Sequence, residues 1–122
     1  MIQITPHMKI FLAYESPDFR NGLEGLSGIC REHLKLDPLS GALFLFRNKR
    51  GTSIRMLVYD GQGLWCMTKR LSQGQFKWWP KRGTDDPLHV PLAAHELQVL
   101  LWNGNPQSAS VAELWRPVRT AS

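Results

Sequence analysis

The segment Ile54-Arg-Met-Leu-Val-Tyr-Asp-Gly-Gln-Gly-Leu-Trp-Cys-Met-Thr-Lys-Arg70 determines the architecture of this chain. Two runs rich in apolar side chains flank Asp60-Gly-Gln-Gly63, and Asp-Gly between such runs is a strong signal for a β-hairpin. A loop of two or four residues pairs Tyr59 with Leu64, and this register then fixes which side chains share a face of the sheet. We therefore predict two antiparallel strands, one on each side of the turn.

Further strands are predicted before and after this hairpin. Ala42 to Arg47 is almost continuously apolar, which indicates a central strand buried on both faces. Lys9 to Tyr14 is a shorter β-like run near the start of the sequence. After the hairpin, a second turn at Ser72-Gln-Gly-Gln75 is predicted to return the chain into a strand over Phe76 to Trp79, which Pro80 would end.

Two helices complete the predicted fold. The first is expected to begin at Ser16 and Pro17. Its buried stripe has helical spacing and consists of Phe19, Leu23, Leu26, Cys30 and Leu34. It also contains three glycines at three-residue spacing, Gly22, Gly25 and Gly28, which predict a groove where the sheet backbone approaches closely. The second helix is expected from near Pro91 to a stop at Asn103-Gly104.

These elements predict an α+β fold with an antiparallel β-meander of about four to five strands and two helices. The 122 residues are enough for one domain with its own hydrophobic core, which we place at residues 1–104. Residues 105–122 have lower complexity and are expected to form a partly mobile C-terminal tail, from which Trp115 could dock on the body of the domain.

The predicted strand pairing separates an apolar face of the sheet from a basic and aromatic face. The apolar face consists of Ile54, Met56, Val58, Trp65, Met67, Phe76 and Trp78. The opposite face consists of Arg55, Leu57, Tyr59, Cys66, Thr68, Arg70, Lys77 and Trp79. On it the second turn sets Arg70 against Lys77, and opposed like charges repel each other unless an anion lies between them. We interpret this face as a binding surface for phosphate or carboxylate groups.

The distribution of charge supports an anionic partner. The chain has a net charge of +5, and the segment from Arg47 to Arg82 contains nine basic residues and one acid. Such a concentrated positive field attracts phosphate backbones or acidic protein surfaces, and composition alone does not separate the two. A solvated face that only keeps the protein soluble is the alternative.

Sequence patterns typical of catalytic, metal and membrane proteins are missing. The chain contains no GxxxxGK[ST] or GxGxxG motif, and its four histidines lack metal-ligand spacing, so we expect no cofactor and no metal. No apolar run approaches the roughly 20 residues of a membrane-spanning helix, so no membrane partner is expected. Cys30 and Cys66 are expected to be reduced thiols in a cytoplasmic protein.

Five blocks of sequence together resemble one known family. They are Asp18-Phe-Arg-Asn-Gly-Leu-Glu-Gly-Leu26, Asp37-Pro-Leu-Ser-Gly-Ala-Leu-Phe-Leu-Phe-Arg47, Asp60-Gly-Gln-Gly63, Lys69-Arg-Leu71 and Gly74-Gln-Phe-Lys-Trp78. Their order and spacing are similar to those of the TnpB or Orf2-like accessory proteins of IS66 insertion sequences, over about residues 8 to 104. The sequence departs from the family where Val58-Tyr59 stands in place of a common Trp-Trp pair.

The resemblance implies a non-catalytic accessory protein for DNA transposition, encoded beside a separate transposase. Combined with the charge pattern, it predicts that the basic sheet face and its margins bind DNA phosphates near the element ends or within a complex with the transposase. The residues predicted to contact DNA are Arg47, Lys49, Arg50, Arg55, Tyr59, Lys69, Arg70, Lys77, Trp79, Lys81 and Arg82. The alternative is a protein adaptor that binds the transposase without contacting DNA and uses Trp79, Trp102 or Trp115 as anchors. The sequence leaves the oligomeric state open.

Overall fold

The computed structural model describes residues 7–106 of the chain. In chain order, its helices and strands are β1 Ile10–Ala13, a 3-10 turn Phe19–Asn21, α1 Gly22–Glu32, β2 Leu43–Arg47, β3 Ser53–Tyr59, β4 Leu64–Arg70, β5 His89–Leu92 and α2 Ala94–Leu101. Except for Asn105 and Pro106, the predicted C-terminal tail, with Trp115, lies outside the described residues.

The five strands form one sheet in the order β4-β3-β2-β1-β5. β1 and β2 pair in parallel, because α1 carries the chain across one face of the sheet between them, and the other neighbouring strands are antiparallel. The predicted α+β class with five strands and two helices is confirmed. The parallel pair is a departure from the predicted meander.

The central strand β2 is buried on both faces, as its apolar sequence predicts. Leu43 and Leu45 face one side and pack with α2, in a cluster that we call the α2-side core. Phe44 and Phe46 face the other side and pack with α1, in the α1-side core. All four side chains are at most 1% exposed. The sheet is therefore the middle layer of a three-layer structure.

The β3–β4 hairpin has the predicted register, with Tyr59 opposite Leu64. Asp60 holds the turn, because its Oδ1 accepts hydrogen bonds from the backbone N–H groups of Gln62 (2.9 Å) and Gly63 (3.0 Å). Its Oδ2 accepts a hydrogen bond of 2.6 Å from the Trp65 indole. These bonds, that of the Gln62 backbone foremost, hold the pKa of the Asp60 carboxyl at about 2, below its ordinary value.

The prediction of a second hairpin around residues 72–75 is wrong. Arg70 lies opposite Ser53, and no strand forms over residues 76–79. Instead, the Phe76 N–H donates a hydrogen bond of 2.7 Å to the Gly51 carbonyl, and this long-range bond turns the chain away from β4. The predicted opposition of Arg70 and Lys77 therefore does not occur.

The fifth strand lies elsewhere in the sequence. β5 pairs with β1 at the edge of the sheet, and Pro91 begins no helix because it lies within this edge strand. Proline is tolerated there because no further strand needs its missing N–H. The second helix starts later, at Ala94, with the Glu96 side chain accepting a hydrogen bond of 2.8 Å from the Ala93 N–H.

The start of α1 differs from the prediction, although its buried stripe is confirmed. Asp18, rather than Ser16, provides the cap, by accepting a hydrogen bond of 2.9 Å from the Arg20 N–H. The predicted glycine groove is wrong, since no atom of the sheet lies within 4 Å of where a β-carbon would stand at any of the three glycines. Gly22 serves the backbone instead, because it adopts φ +69° at the junction of the 3-10 turn and α1.

Both cysteines are free thiols on the α1 side of the sheet. Cys30 is fully buried, and this burial raises the pKa of its thiol to about 12. A thiol in such a position stays protonated and unreactive at neutral pH.

Replacement of Leu45 tests the central position of β2. Leu45→Ala should lower the free energy of unfolding by about 2–5 kcal/mol, because it removes a fully buried side chain. Leu39→Ala is the matched control, since Leu39 is 50% exposed, and it should cost less than about 1 kcal/mol. Urea unfolding followed by tryptophan fluorescence measures both, and equal losses would contradict the burial of β2.

The contribution of Asp60 to stability should depend on pH. Because its folded-state pKa lies below the unfolded value, its stabilisation is present above the unfolded pKa and is lost as the pH falls through the folded pKa. The difference in unfolding free energy between the wild type and Asp60→Asn should therefore shrink from about pH 4 to about pH 2. Denaturant titrations across this range measure it, and a constant difference would show that the charge of Asp60 does not hold the turn.

Candidate nucleic-acid interface

A groove of about 720 Å³ brings together five of the eleven residues predicted to bind DNA. They are Arg47, Lys77, Trp79, Lys81 and Arg82. The groove lies where the end of β2 meets the irregular segment after β4, and Tyr14 and Glu15 from the end of β1 also line it. We call it the basic groove.

Arg47 reaches the groove because strand alternation directs it to the α2 side, the side of Leu45 and of its cross-strand partner Ile54. The loop that follows is held by Asn48, whose Oδ1 accepts hydrogen bonds from the N–H groups of Thr52 (2.9 Å) and Ser53 (3.1 Å). The last residue of β2 is therefore fixed at its backbone.

The Arg47 guanidinium is half-buried against an aromatic ring. Its central carbon lies 5.3 Å from the centre of the Trp79 ring, within the range of a cation–π interaction. Its Nε is buried and has no hydrogen-bond acceptor among the described residues. This burial lowers the pKa of Arg47 from its ordinary value, although a guanidinium remains charged at neutral pH.

Long-range hydrogen bonds anchor the segment that carries the other groove residues. The Trp79 indole donates to the Ala13 carbonyl (3.1 Å), and the Lys77 N–H donates to the Asn103 side-chain oxygen (2.7 Å). Further along, the Arg82 Nε donates to the Asp86 carbonyl (2.9 Å). The backbone of Lys77 and the ring of Trp79 thus have fixed positions, and both residues line the groove.

The basic groove carries four cationic side chains and one acid, Glu15. Across residues 7–106, a contact ion pair forms only between Arg20 and Asp18, at 2.9 Å, so none of the groove cations is in direct contact with a carboxylate of this part of the chain. An adjoining groove shares Lys77 and Lys81 and adds Asp86 and Glu96 to its lining. The concentration of positive charge is therefore highest at the Arg47 end.

Lys49 and Arg50 lie in the loop after β2 and line a different groove of about 620 Å³, with Arg20, Asp18 and Phe19. Both are exposed. The sequence analysis predicts that both contact DNA, and the structure does not place them in the basic groove.

The remaining four predicted residues do not converge on one surface. Arg55 lies on the sheet face that α1 covers, where it stacks over Phe19 at 4.7 Å and donates a hydrogen bond of 2.7 Å to the Phe19 carbonyl. The Lys69 amine donates to the Leu101 carbonyl at the end of α2. Tyr59 donates to the Gly61 carbonyl (3.0 Å), and Arg70 is exposed on the edge strand β4.

The prediction of an open basic sheet face is therefore wrong, because α1 packs on that side of the sheet. Tyr14 and Glu15 are groove residues that the sequence reasoning missed. Nothing in their local sequence marks them, since they reach the groove only because β1 lies beside β2 in the sheet.

The described part of the chain gives no sign of a metal centre or a membrane span. No three His, Cys, Asp or Glu side chains within residues 7–106 lie where they could hold a metal ion. Neither of the helices described there has the length and apolarity that crossing a bilayer requires.

Comparison with known proteins identifies the family. A family model described as "IS66 Orf2 like protein" matches residues 8–110. The chain belongs to this family. IS66 Orf2-like proteins are accessory proteins of transposition, and the family is not known to be catalytic.

Two relatives from Sinorhizobium fredii (strain NBRC 101917 / NGR234) are similar to this IS66 Orf2-like protein. Uncharacterized protein y4hO is 32% identical over 119 residues, which are 98% of this chain and 98% of the relative. Uncharacterized protein y4jC is 36% identical over 90 residues, 74% of this chain and 75% of the relative. No solved structure matches the chain significantly.

The backbone conformation of Gly51 provides a test of the loop that follows Arg47. Gly51 has φ +73°, so Gly51→Ala should lower the free energy of unfolding by about 1–2 kcal/mol. Gly63→Ala is the control, because Gly63 has no positive φ and no atom lies within 4 Å of an added β-carbon. It should change the stability by less than about 1 kcal/mol. If chemical denaturation finds the two variants equally stable, the loop does not have this conformation.

Proposed function

We propose that this IS66 Orf2-like protein binds DNA phosphates in the basic groove and thereby holds DNA during transposition. The observation that supports this proposal is the convergence of Arg47, Lys77, Lys81 and Arg82 around one groove, where none of them forms a contact ion pair with a carboxylate of residues 7–106. Phosphate groups supply the missing negative charge. The proposal assigns no catalytic step to the protein.

Arg47 is the residue whose environment most favours an anion. Its guanidinium has lost part of its hydration through burial and stacking on Trp79, and its Nε has no hydrogen-bond acceptor within residues 7–106. Charged hydrogen bonds are stronger where water is partly excluded. A phosphate that enters the groove would therefore gain more from the cationic end near Arg47 than from an isolated surface lysine.

The mode of binding follows from the kinds of contact that the groove offers. Lysine and arginine contacts to phosphate fix the position of DNA without reading its sequence. We therefore propose that the protein contributes affinity and orientation at the element ends, and that sequence selection belongs to the transposase, as a partner in the same complex. Lys49 and Arg50 would extend the phosphate contacts beyond the groove.

Salt dependence tests the groove directly. Binding of a fluorescent duplex that contains the terminal repeats should weaken steeply between about 50 and about 200 mM salt, because each phosphate contact adds about −0.9 to the slope of log affinity against log salt. The double variant Lys77→Gln/Lys81→Gln should reduce this slope by about 2. Fluorescence anisotropy measures both quantities.

The double variant Arg31→Gln/Lys35→Gln is the matched control. It removes the same net charge from two exposed residues, one in the last turn of α1 and one shortly after the helix, which do not line the groove, and should leave the slope unchanged. If both double variants reduce the slope equally, only the net charge of the protein matters. If the wild type shows no slope at all, the protein does not bind DNA through phosphates.

The adaptor alternative is supported by one exposed tryptophan, Trp102. Of its three named anchors, Trp79 is half-buried and bonded to Ala13, Trp102 is 84% exposed, and Trp115 lies outside the described residues. An adaptor would co-purify with the transposase of the same element and retain no DNA of its own. The anisotropy titration, repeated with and without transposase, separates the two proposals.

A further inference from the structure

The side chain of Trp102 is strongly exposed on a rigid backbone. It is 84% exposed, far more than the other exposed large apolar residues of the described chain, Leu39 and Trp65. The backbone N–H of Trp102 donates a hydrogen bond of 3.2 Å to the Gln98 carbonyl at the end of α2. The next residues close the helix, because the Gly104 N–H donates to the Val99 carbonyl at 2.8 Å. The indole is thus held out into solvent by ordered structure.

Positive charge lies beside this ring. The Lys69 amine is 5.2 Å from the centre of the Trp102 ring and also bonds to the Leu101 carbonyl. Lys69 is therefore fixed between the end of α2 and the indole. One cation–π partner already belongs to the site, and the carbonyl bond keeps it in place.

A short rigid connection joins Trp102 to the basic groove. The side chain of Asn103 accepts from the Lys77 N–H (2.7 Å) and donates to the Gln75 carbonyl (3.2 Å). One residue step, one asparagine side chain and one hydrogen bond separate the backbones of Trp102 and Lys77, so their α-carbons lie within about 12 Å of each other. Lys77 in turn lines the groove.

This arrangement combines the two components of a single-strand binding site, which are cations that follow a phosphate backbone and an aromatic ring on which an unpaired base stacks. We propose that Trp102 stacks on a nucleotide base and gives the protein a preference for single-stranded DNA, or for duplex with an unpaired end. The proposal rests on phosphate binding in the basic groove. In a duplex the bases are paired and stacked on each other, so no base is free to stack on Trp102.

Charge favours a nucleic acid over a protein as the occupant of this site. The cores of protein interfaces are depleted of charged residues, whereas here the amine of Lys69 lies over the exposed indole. Glu96, the acid of α2, is bonded to Ala93 at the opposite end of the helix. A polyanion with aromatic bases is complementary to the Lys69 amine and to the Trp102 ring.

The test compares a fluorescent oligothymidylate with a duplex of the same length, both bound to the full chain at one salt concentration. Trp102→Ala should weaken oligothymidylate binding by roughly 5- to 150-fold, the range that loss of base stacking produces, and change duplex binding by less than about twofold. Trp102→Phe should retain most of the affinity, because a phenyl ring also stacks. Trp65→Ala, which removes the other exposed indole, is the control and should change neither affinity by more than about twofold. Unchanged thermal unfolding of the Trp102 variants establishes that they fold.

The outcomes separate this inference from the proposed function. If duplex binds with the expected salt slope but Trp102→Ala weakens both forms equally or neither, base stacking is contradicted and the groove proposal stands. If neither form binds, both proposals are overturned. If Trp102→Ala abolishes co-purification with the transposase and leaves oligothymidylate binding intact, Trp102 is a protein anchor and the inference is wrong.

Discussion

Neither face of β2 is available to solvent, and this burial fixes the positions of both helices. Leu43 and Leu45 require an apolar layer on one side, and Phe44 and Phe46 require another on the opposite side. Each of these side chains contributes about 1.5–3 kcal/mol when it leaves water, so neither layer is optional. The crossover through α1 supplies one layer and places β1 parallel to β2, while α2 supplies the other. The same alternation directs Arg47, at the end of the strand, to the α2 side, where its charge emerges beside the basic groove.

The parts of the fold that could be predicted from the sequence are those that local chemistry encodes. Asp60 satisfies the backbone of its own turn within three residues, so the register of β3 and β4 follows from that turn alone. The segment after β4 obeys contacts that are distant in sequence. The Trp79 indole bonds to Ala13, 66 positions earlier. No local pattern indicates such a bond. The strand register predicted from loop length therefore extends through a second turn, at residues 72–75, that does not form a hairpin.

In the candidate site, the number of basic residues follows from the sequence, whereas their positions depend on tertiary packing. The count of nine basic residues between Arg47 and Arg82 is a property of the sequence, and it directs attention to the central part of the chain. Which of those cations converge is decided by packing. Arg55 covers the Phe19 ring and bonds to its carbonyl, a structural use that the long apolar stem and planar head of arginine allow. Lys77 reaches the groove only because Asn103 holds its backbone there.

Binding of the proposed phosphate ligand in the groove would change the stability of the folded protein. Lys77, Lys81 and Arg82 are exposed, so water and salt screen their mutual repulsion and removing one of them costs the fold little. Arg47 is different, because burial against Trp79 removes part of its hydration and its Nε has no hydrogen-bond acceptor in the described part of the chain. A bound phosphate would replace the lost hydration and lower the free energy of the folded state alone, which raises stability by mass action. If phosphate binds in this groove as we propose, binding and resistance to unfolding are linked, and the burial of Arg47 makes it the groove residue on which that linkage depends most.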